Sequence, residues 1–456
     1  VTARAESSSV LWFRRDLRLH DHPALLAAAA DGAVLPLFVV DPALWRPSGD
    51  VRRAYLLRSL RALDARLGGH LVVEAGDPAE VVDRVAARAG ARRVHVTADA
   101  GPYGRRRDDA VARALAAHGR ELVRTGTPYA IGPGTVLNGS GKPFQVFTPF
   151  SRAWAAHGWP APADDPGEVR WTGGGGGVDG PHWPEEPDLG DLELPEAGED
   201  AAHRRWADFR AHALAGYADE RDRPDHDGTS QLSHALKWGE VHPRTLLADL
   251  RRHRSPGADT FRTELCWRDF YADVLWHRPD SAREYYKPQL AGLRYAEPGE
   301  QFEAWSQGRT GYPIVDAGMR QMRSVGWVHN RVRMIVASFL VKDLHVEWQH
   351  GGREFMRWLR DGDLASNMHG WQWVAGSGTD ASPFFRVFNP VTQGQRFDPS
   401  GDYVRQHVPE LRHLPGRSVH TPWEAADGYA HGYPERIVDH AHERRVALAE
   451  YARVRG

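Results

Sequence analysis

The sequence of 456 residues holds a single cysteine, Cys266. An intrachain disulfide is excluded, and so is a metal centre built from clustered thiolates. No apolar run approaches the length needed to cross a bilayer, about 20 residues. Residues 1–9 carry Arg4 and Glu6 but no apolar signal core, which predicts a cytoplasmic rather than an exported protein. Excess charge of one sign is also missing, because 58 Lys and Arg oppose 60 Asp and Glu. Bulk charge therefore gives no support for nucleic-acid binding, although it leaves room for a local basic face. The signatures HExxH, GxSxG and the Walker lysine motif are all absent, which removes the commonest hydrolytic and nucleotide-cleaving sites.

What is abundant is tryptophan, with 17 residues. Either a helical core uses the indoles as bulk, or aromatic rings line a cavity; composition favours the first. Short β-like runs at 10–13, 34–40, 71–74 and 94–97 alternate with helical patterns at 51–67, 81–89 and 107–118. That alternation predicts a mostly parallel sheet covered on both faces. The turn after the first run reads Arg14-Arg15-Asp16-Leu17-Arg18, without the glycines that admit a pyrophosphate. The main dinucleotide is not expected there.

From about 125 to 200 the pattern breaks into Pro- and Gly-rich sequence, including five consecutive glycines at 173–177. A connector is expected, with parts wrapping one domain around the other. Beyond residue 201 the character is helical, around 203–217, 244–252, 260–275, 314–324, 330–340 and 352–360. The expected fold is α/β plus all-α: domain 8–125, connector 126–200 and helical domain 201–456.

Four segments of the helical half carry polar and aromatic residues at helical spacing. In the first, after Tyr217, the residues Thr229, Ser230 and Ser233 gather at a helix start, where free amides suit a phosphate. A simple helix cap accounts for the same residues. In the second, Glu264, Trp267, Arg268 and Tyr271 share one helix face. Such a face makes poor core and suits stacking on a base while bonding to its polar edge; an exposed Glu–Arg pair is the plainer reading. The third, starting at Gly326, carries Arg333, and the fourth, starting at Asp361, carries Asp363 and Asn367. Arg333 and Asp361 are candidate partners, while Asp363 and Asn367 lie one turn apart. No acid–base machine is visible, which fits a reaction whose hard step belongs to a cofactor.

The stretches VLWFRRDLRLHDHPAL from Val10, DGTSQLS from Asp227, ELCWRDFY from Glu264 and GRTGYPIVDAGMRQM from Gly308 resemble the photolyase and cryptochrome family. So do GWVHNRVRMIVASFLVKDL from Gly326 and the long run DGDLASNMHGWQWVAGSGTDASPFFRVFNPVTQGQRFDP from Asp361. Within that family the sequence resembles the class I cyclobutane pyrimidine dimer enzymes. The resemblance implies a Rossmann-like antenna domain, a long connector and a helical domain holding FAD, active in its reduced form. It implies light-driven splitting of dimers in ultraviolet-damaged DNA by electron transfer to a flipped-out dimer, in a monomer associated with DNA. The alternatives are a photosensory cryptochrome and a catalytically silent nucleic-acid-binding module.

Carried over residue by residue, Tyr217 and the stretch Thr229, Ser230, Gln231, Leu232 and Ser233 resemble the FAD phosphate and ribitol contacts. Gln231 stands where a basic side chain is common. Arg333 and Asp361 resemble the ion pair beside the flavin, with Glu264, Arg268, Asn330 and Asp363 as further cofactor contacts. Asn367 resembles the residue facing flavin N5, and asparagine there is the photolyase-like choice. Trp267 and Trp373 resemble the aromatic walls of the dimer pocket, and Glu264, Asn330, Arg331 and Met334 resemble its other lining. Trp371 and Trp348 match two members of an electron relay whose outer member falls at Tyr295; Trp305 is the alternative exit. The run DAGPYGRRRD from Asp99 lacks the Asn-Glu pair of folate-type enzymes, so an 8-hydroxy-5-deazaflavin antenna is expected over methenyltetrahydrofolate. No metal is expected.

Overall fold

The computed structural model describes residues 8–173, 183–379 and 385–455. Five parallel strands, β1 (Ser8–Phe13), β2 (Ala33–Val40), β3 (Val72–Ala75), β4 (Arg93–Val96) and β5 (Glu121–Arg124), form one sheet. Their order is β3-β2-β1-β4-β5, with Val10 opposite Leu35 on one side and Val94 on the other. The first strand is central, so the chain winds outward in both directions and packs a core on each face. β5 was not expected: its Glu121-Leu122-Val123-Arg124 has only two apolar residues, and it lies at the sheet edge, where polar ends reach solvent. The helix expected at 107–118 is Pro102–Ala117. It begins earlier because Pro102 supplies a ready-made first turn.

Among the described residues, those after 199 are helical, around two further cores. The 126–200 stretch is more than a connector, since it contributes the helix Phe147–His157. Phe150 and Trp154 of that helix are 1% and 2% exposed, inserted beside Phe270 and Trp206 in the helical core. Asp269 draws the stretch inward, accepting from Trp154 Nε1 at 2.9 Å and Ile131 N at 3.0 Å. Asp273 accepts from Gly134 N at 2.7 Å. Burial lifts the Asp269 carboxyl to about 6. Of the glycine run, only Gly173 lies within the described residues.

Polar groups join the two halves. Buried Arg244 reaches Asp21 at 2.7 Å, and Tyr55 donates to Glu240 at 2.9 Å. Gly239 ends the helix Ser233–Trp238 in a left-handed conformation (φ 70°). A Cβ there would stand 2.1 Å from the Arg15 carbonyl oxygen, so only glycine allows this close approach. No described helix is long and apolar enough to cross a membrane.

Candidate active site

The helix Pro256–His277 presents Glu264, Trp267, Arg268 and Tyr271 to a cavity of about 480 Å³. Three other helices supply most of the remaining wall. Asn330–Lys342 supplies Asn330, Arg331, Arg333 and Met334; Trp348–Trp358 supplies Phe355; Leu364–Ala375 supplies Asn367, Trp371 and Trp373. Tyr217, Ser230, Ser233, Asp361 and Asp363 complete the expected residues that reach this cavity.

Thr229, Gln231 and Leu232 do not line it. Leu232 is buried in the adjoining core, and Gln231, at φ 50°, donates to Asp227 at 3.1 Å. The helix cap is Leu232, which makes no side-chain cap bond, although the Ser230 hydroxyl accepts from Leu232 N at 3.4 Å just before the helix. Arg205 also holds this turn by donating to the carbonyls of Thr229 and Ser230 at 2.9 and 3.0 Å.

Arg333 and Asp361 are paired at 2.7 Å. Burial alone would raise the Asp361 carboxyl, but the Arg333 guanidinium holds it below the usual carboxylate range. Among the described residues its other oxygen, Oδ1, is buried with no hydrogen bond of normal geometry, and the neighbouring Ser233 hydroxyl also helps to hold the carboxyl down; the oxygen retains lone pairs that a ligand donor can use. Burial also works against the Asp363 carboxylate, which Arg15, Lys237 and Arg268 hold well below its ordinary value. Asp363 pairs with Arg15 at 2.6 Å and accepts from Ser366 N at 3.0 Å. Asn367 donates to the Gly352 carbonyl at 2.9 Å. One turn on, a Cβ at Gly370 would meet nothing within 4 Å among the described residues, so little of the described wall crowds that position. A large cavity, a buried acceptor with lone pairs to spare and flanking aromatic rings fit a large planar heterocycle with N–H donors, which describes FAD.

Glu264 accepts from Arg221 at 2.5 Å, and burial nevertheless raises its carboxyl. Arg331 forks onto Asp222 at 3.2 and 2.7 Å. Trp267 is stacked on one face by Phe147 (3.6 Å between centroids, 5° between planes). The Trp373 ring carries the Arg386 guanidinium at 4.3 Å.

Trp348 is fully buried away from the cavity wall, and among the described residues its Nε1 has no hydrogen-bond partner. Its ring meets Tyr285 at 6.1 Å, and Tyr285 meets Tyr295 at 6.5 Å. Trp371 meets Phe355 at 4.9 Å and Trp305 at 6.1 Å. Trp305 is 0% exposed, which removes it as a surface exit.

A second cavity, of about 750 Å³, opens at the carboxyl ends of β1 and β2. Trp12, Arg14, Asp41 and Asp99 line it from the sheet domain, and Arg353 and Met356 from the helical one. Lys237 and Gly362 stand in the walls of both cavities. Burial, with Arg15 adding repulsion, lowers the Lys237 ammonium to about 7. Arg221, Lys237, Phe147 and Tyr285 were not singled out from sequence. Lys237 sits one turn after Ser233 and could have been found by helical spacing; the other three had no local signal.

Residues 9–167 match the family described as DNA photolyase, and residues 261–453 match the FAD binding domain of DNA photolyase. The deoxyribodipyrimidine photo-lyase of Streptomyces griseus is 42% identical over 99% of both chains. The chain belongs to the DNA photolyase family. A bacterial class III photolyase from Agrobacterium tumefaciens superposes with a TM-score of 0.91, at 38% identity over 100% of this chain and 99% of that one. This likeness corrects the class I assignment. The matching stretches run through nearly the whole chain and carry the features common to the family, so they did not separate its classes; the superposed photolyase is of class III. A cryptochrome from Synechocystis superposes at 0.90, with 26% identity over 98% of this chain and 100% of that one, so backbone shape alone does not separate the two kinds of family member.

Proposed function

We propose that this family member repairs cyclobutane pyrimidine dimers in DNA with light. One observation carries the reading: a single cavity holds both the Arg333–Asp361 pair with its buried acceptor oxygen and the aromatic residues Trp267 and Trp373. When bound and reduced, FAD supplies the photochemistry, lending an electron that splits the cyclobutane ring and returns. Arg333, Asp361 and Asp363 hold the cofactor, and Tyr217, Ser230, Ser233, Arg268 and Asn330 complete its surroundings. Asn367 is a neutral amide at the family position facing the flavin, so it puts no negative charge against a reduced ring. Trp267 and Trp373 wall the flipped dimer, whose poor stacking in the duplex lowers the cost of extrusion. Glu264, held by Arg221, offers its carboxyl to the base edges. Asn330, Arg331 and Met334 line the same entrance, and arginines around it meet the DNA backbone. Purified protein should restore dimer-containing oligonucleotides under near-ultraviolet or blue light and not in the dark. Flavin photoreduction without any repair would favour the cryptochrome reading instead.

The second cavity supports an antenna chromophore, because it opens at the carboxyl ends of β1 and β2 and reaches Asp99 just beyond β4. Ligands of wound sheets gather where the strand order reverses, here between β1 and β4. We favour a deazaflavin over a folate there. Reconstitution with each compound should extend the repair action spectrum with the deazaflavin; enhancement by folate alone would reverse the choice.

For electron supply we propose that oxidising equivalents formed at the cavity pass through Trp371 and Trp348 and end at Tyr295. The ring contacts add Tyr285 as the bridge between Trp348 and Tyr295. Oxidation of the Tyr295 phenol sheds a proton, which can pass to the hydrogen-bonded Tyr285 hydroxyl as Tyr285 gives its own proton to Glu347, the carboxylate it donates to at 2.7 Å. After a flash on oxidised enzyme, Tyr295→Phe should lower the yield of long-lived tyrosyl radical while leaving repair by prereduced enzyme unchanged. An unaltered radical yield and lifetime would place the terminus elsewhere.

A further inference from the structure

Away from both cavities, the turn after β1 meets the helix Glu199–His212. There the ligand atoms of His20, Glu199 and His203 all lie within 4.8 Å of one another. We propose that these three residues bind one divalent transition-metal ion of the zinc type, clipping the sheet domain to the helical domain.

The carboxylate is already held in position. Glu199 is 2% exposed, and its oxygens accept from Leu19 N at 2.8 Å and His20 N at 2.9 Å. These bonds fix the turn that carries His20 against the helix. Each carboxylate oxygen has a second lone pair, so the amide bonds do not exhaust it. His203 stands one helical turn from Glu199, on the same face. Its Nε2 is 3.9 Å from Glu199 Oε1, too far for a hydrogen bond and somewhat wider than the ~3.3 Å between two ligands of a tetrahedral zinc ion at about 2 Å from each, a gap that a small rotation of the His203 side chain closes.

The two imidazoles meet edge to face at 5.7 Å, and among the described residues their ring nitrogens have no hydrogen-bond partner. Arg66 is the nearby cation. It pairs with Asp200 and lies 3.6 Å from Glu199 Oε2, the oxygen not adjacent to His203. Its charge is therefore taken up on the other side of the carboxylate. Two imidazole nitrogens and one carboxylate oxygen suit Zn(II), Co(II) or Ni(II), whereas calcium and magnesium favour all-oxygen shells. His20 is exposed, which leaves room for water as a fourth ligand. Because the ligands come from both halves of the chain, the ion would bind the assembled protein and not the unfolded chain, and so would stabilise it.

The test uses the full chain, stripped with a chelator and desalted, with Co(II) as the spectroscopic probe. Wild type should take up one equivalent with tetrahedral visible absorption, release it to Zn(II), and unfold at a higher temperature with Zn(II) than without. The His20→Ala/His203→Ala double variant should bind at least about ten-fold more weakly and lose the zinc-dependent shift in unfolding temperature. Should the double variant fold poorly, His20→Asn alters only the exposed turn residue and should give the same loss. Equal binding by wild type and variants, or no wild-type binding below millimolar Co(II), would overturn the proposal.

Discussion

Trp267→Ala should weaken binding of dimer-containing DNA by about 1–3 kcal/mol, roughly 5- to 150-fold, the worth of stacking one base on an aromatic ring. Undamaged DNA should lose much less, because its bases stay in the helix and never meet this ring. The indole is held in place by Phe147, parallel to it at 3.6 Å, so Phe147→Ala should produce a smaller loss in the same direction. Electrophoretic or fluorescence titrations with matched damaged and undamaged oligonucleotides measure both. Equal losses on the two DNAs would mean that Trp267 is packing alone.

Asp361→Asn should have the largest effect on the holoprotein. The substitution keeps the side-chain shape but leaves the Arg333 guanidinium without its counter-charge. Breaking one partner of a buried pair costs about 3–5 kcal/mol, and Arg333 keeps 25% of its side chain accessible, which argues for the lower end. Purified Asp361→Asn should carry far less flavin than wild type, and its urea midpoint should fall even when flavin is absent from both. A variant with full flavin content and an unchanged midpoint would remove this pair from the cofactor site. Arg333→Gln, losing the other partner, should lower flavin content too and allow the Asp361 carboxyl to rise toward protonation.

The strand runs at 10–13, 34–40, 71–74 and 94–97 could be recognised because apolar residues crowd strands covered on both faces. β5 escaped because an edge strand is allowed polar ends. The helix Phe147–His157 escaped for another reason. Its buried residues, Phe150 and Trp154, are four apart, but Pro- and Gly-rich sequence on either side hid so short a pattern.

The shared face of Glu264, Trp267, Arg268 and Tyr271 follows from helical geometry within one segment, as does the spacing of Asp363 and Asn367. By itself the sequence therefore determined the two-part architecture, the family, and most of the residues that reach the cavity. Tertiary structure decided which of them meet. Arg15 reaches Asp363 across 348 residues, Phe147 backs Trp267, and Tyr285 stands between Trp348 and Tyr295. It also left Thr229, Gln231 and Leu232 outside the cavity wall, because the backbone at Gln231 turns left-handed. Periodicity specifies the face a residue takes on its own element; only the packing of elements specifies what lies opposite.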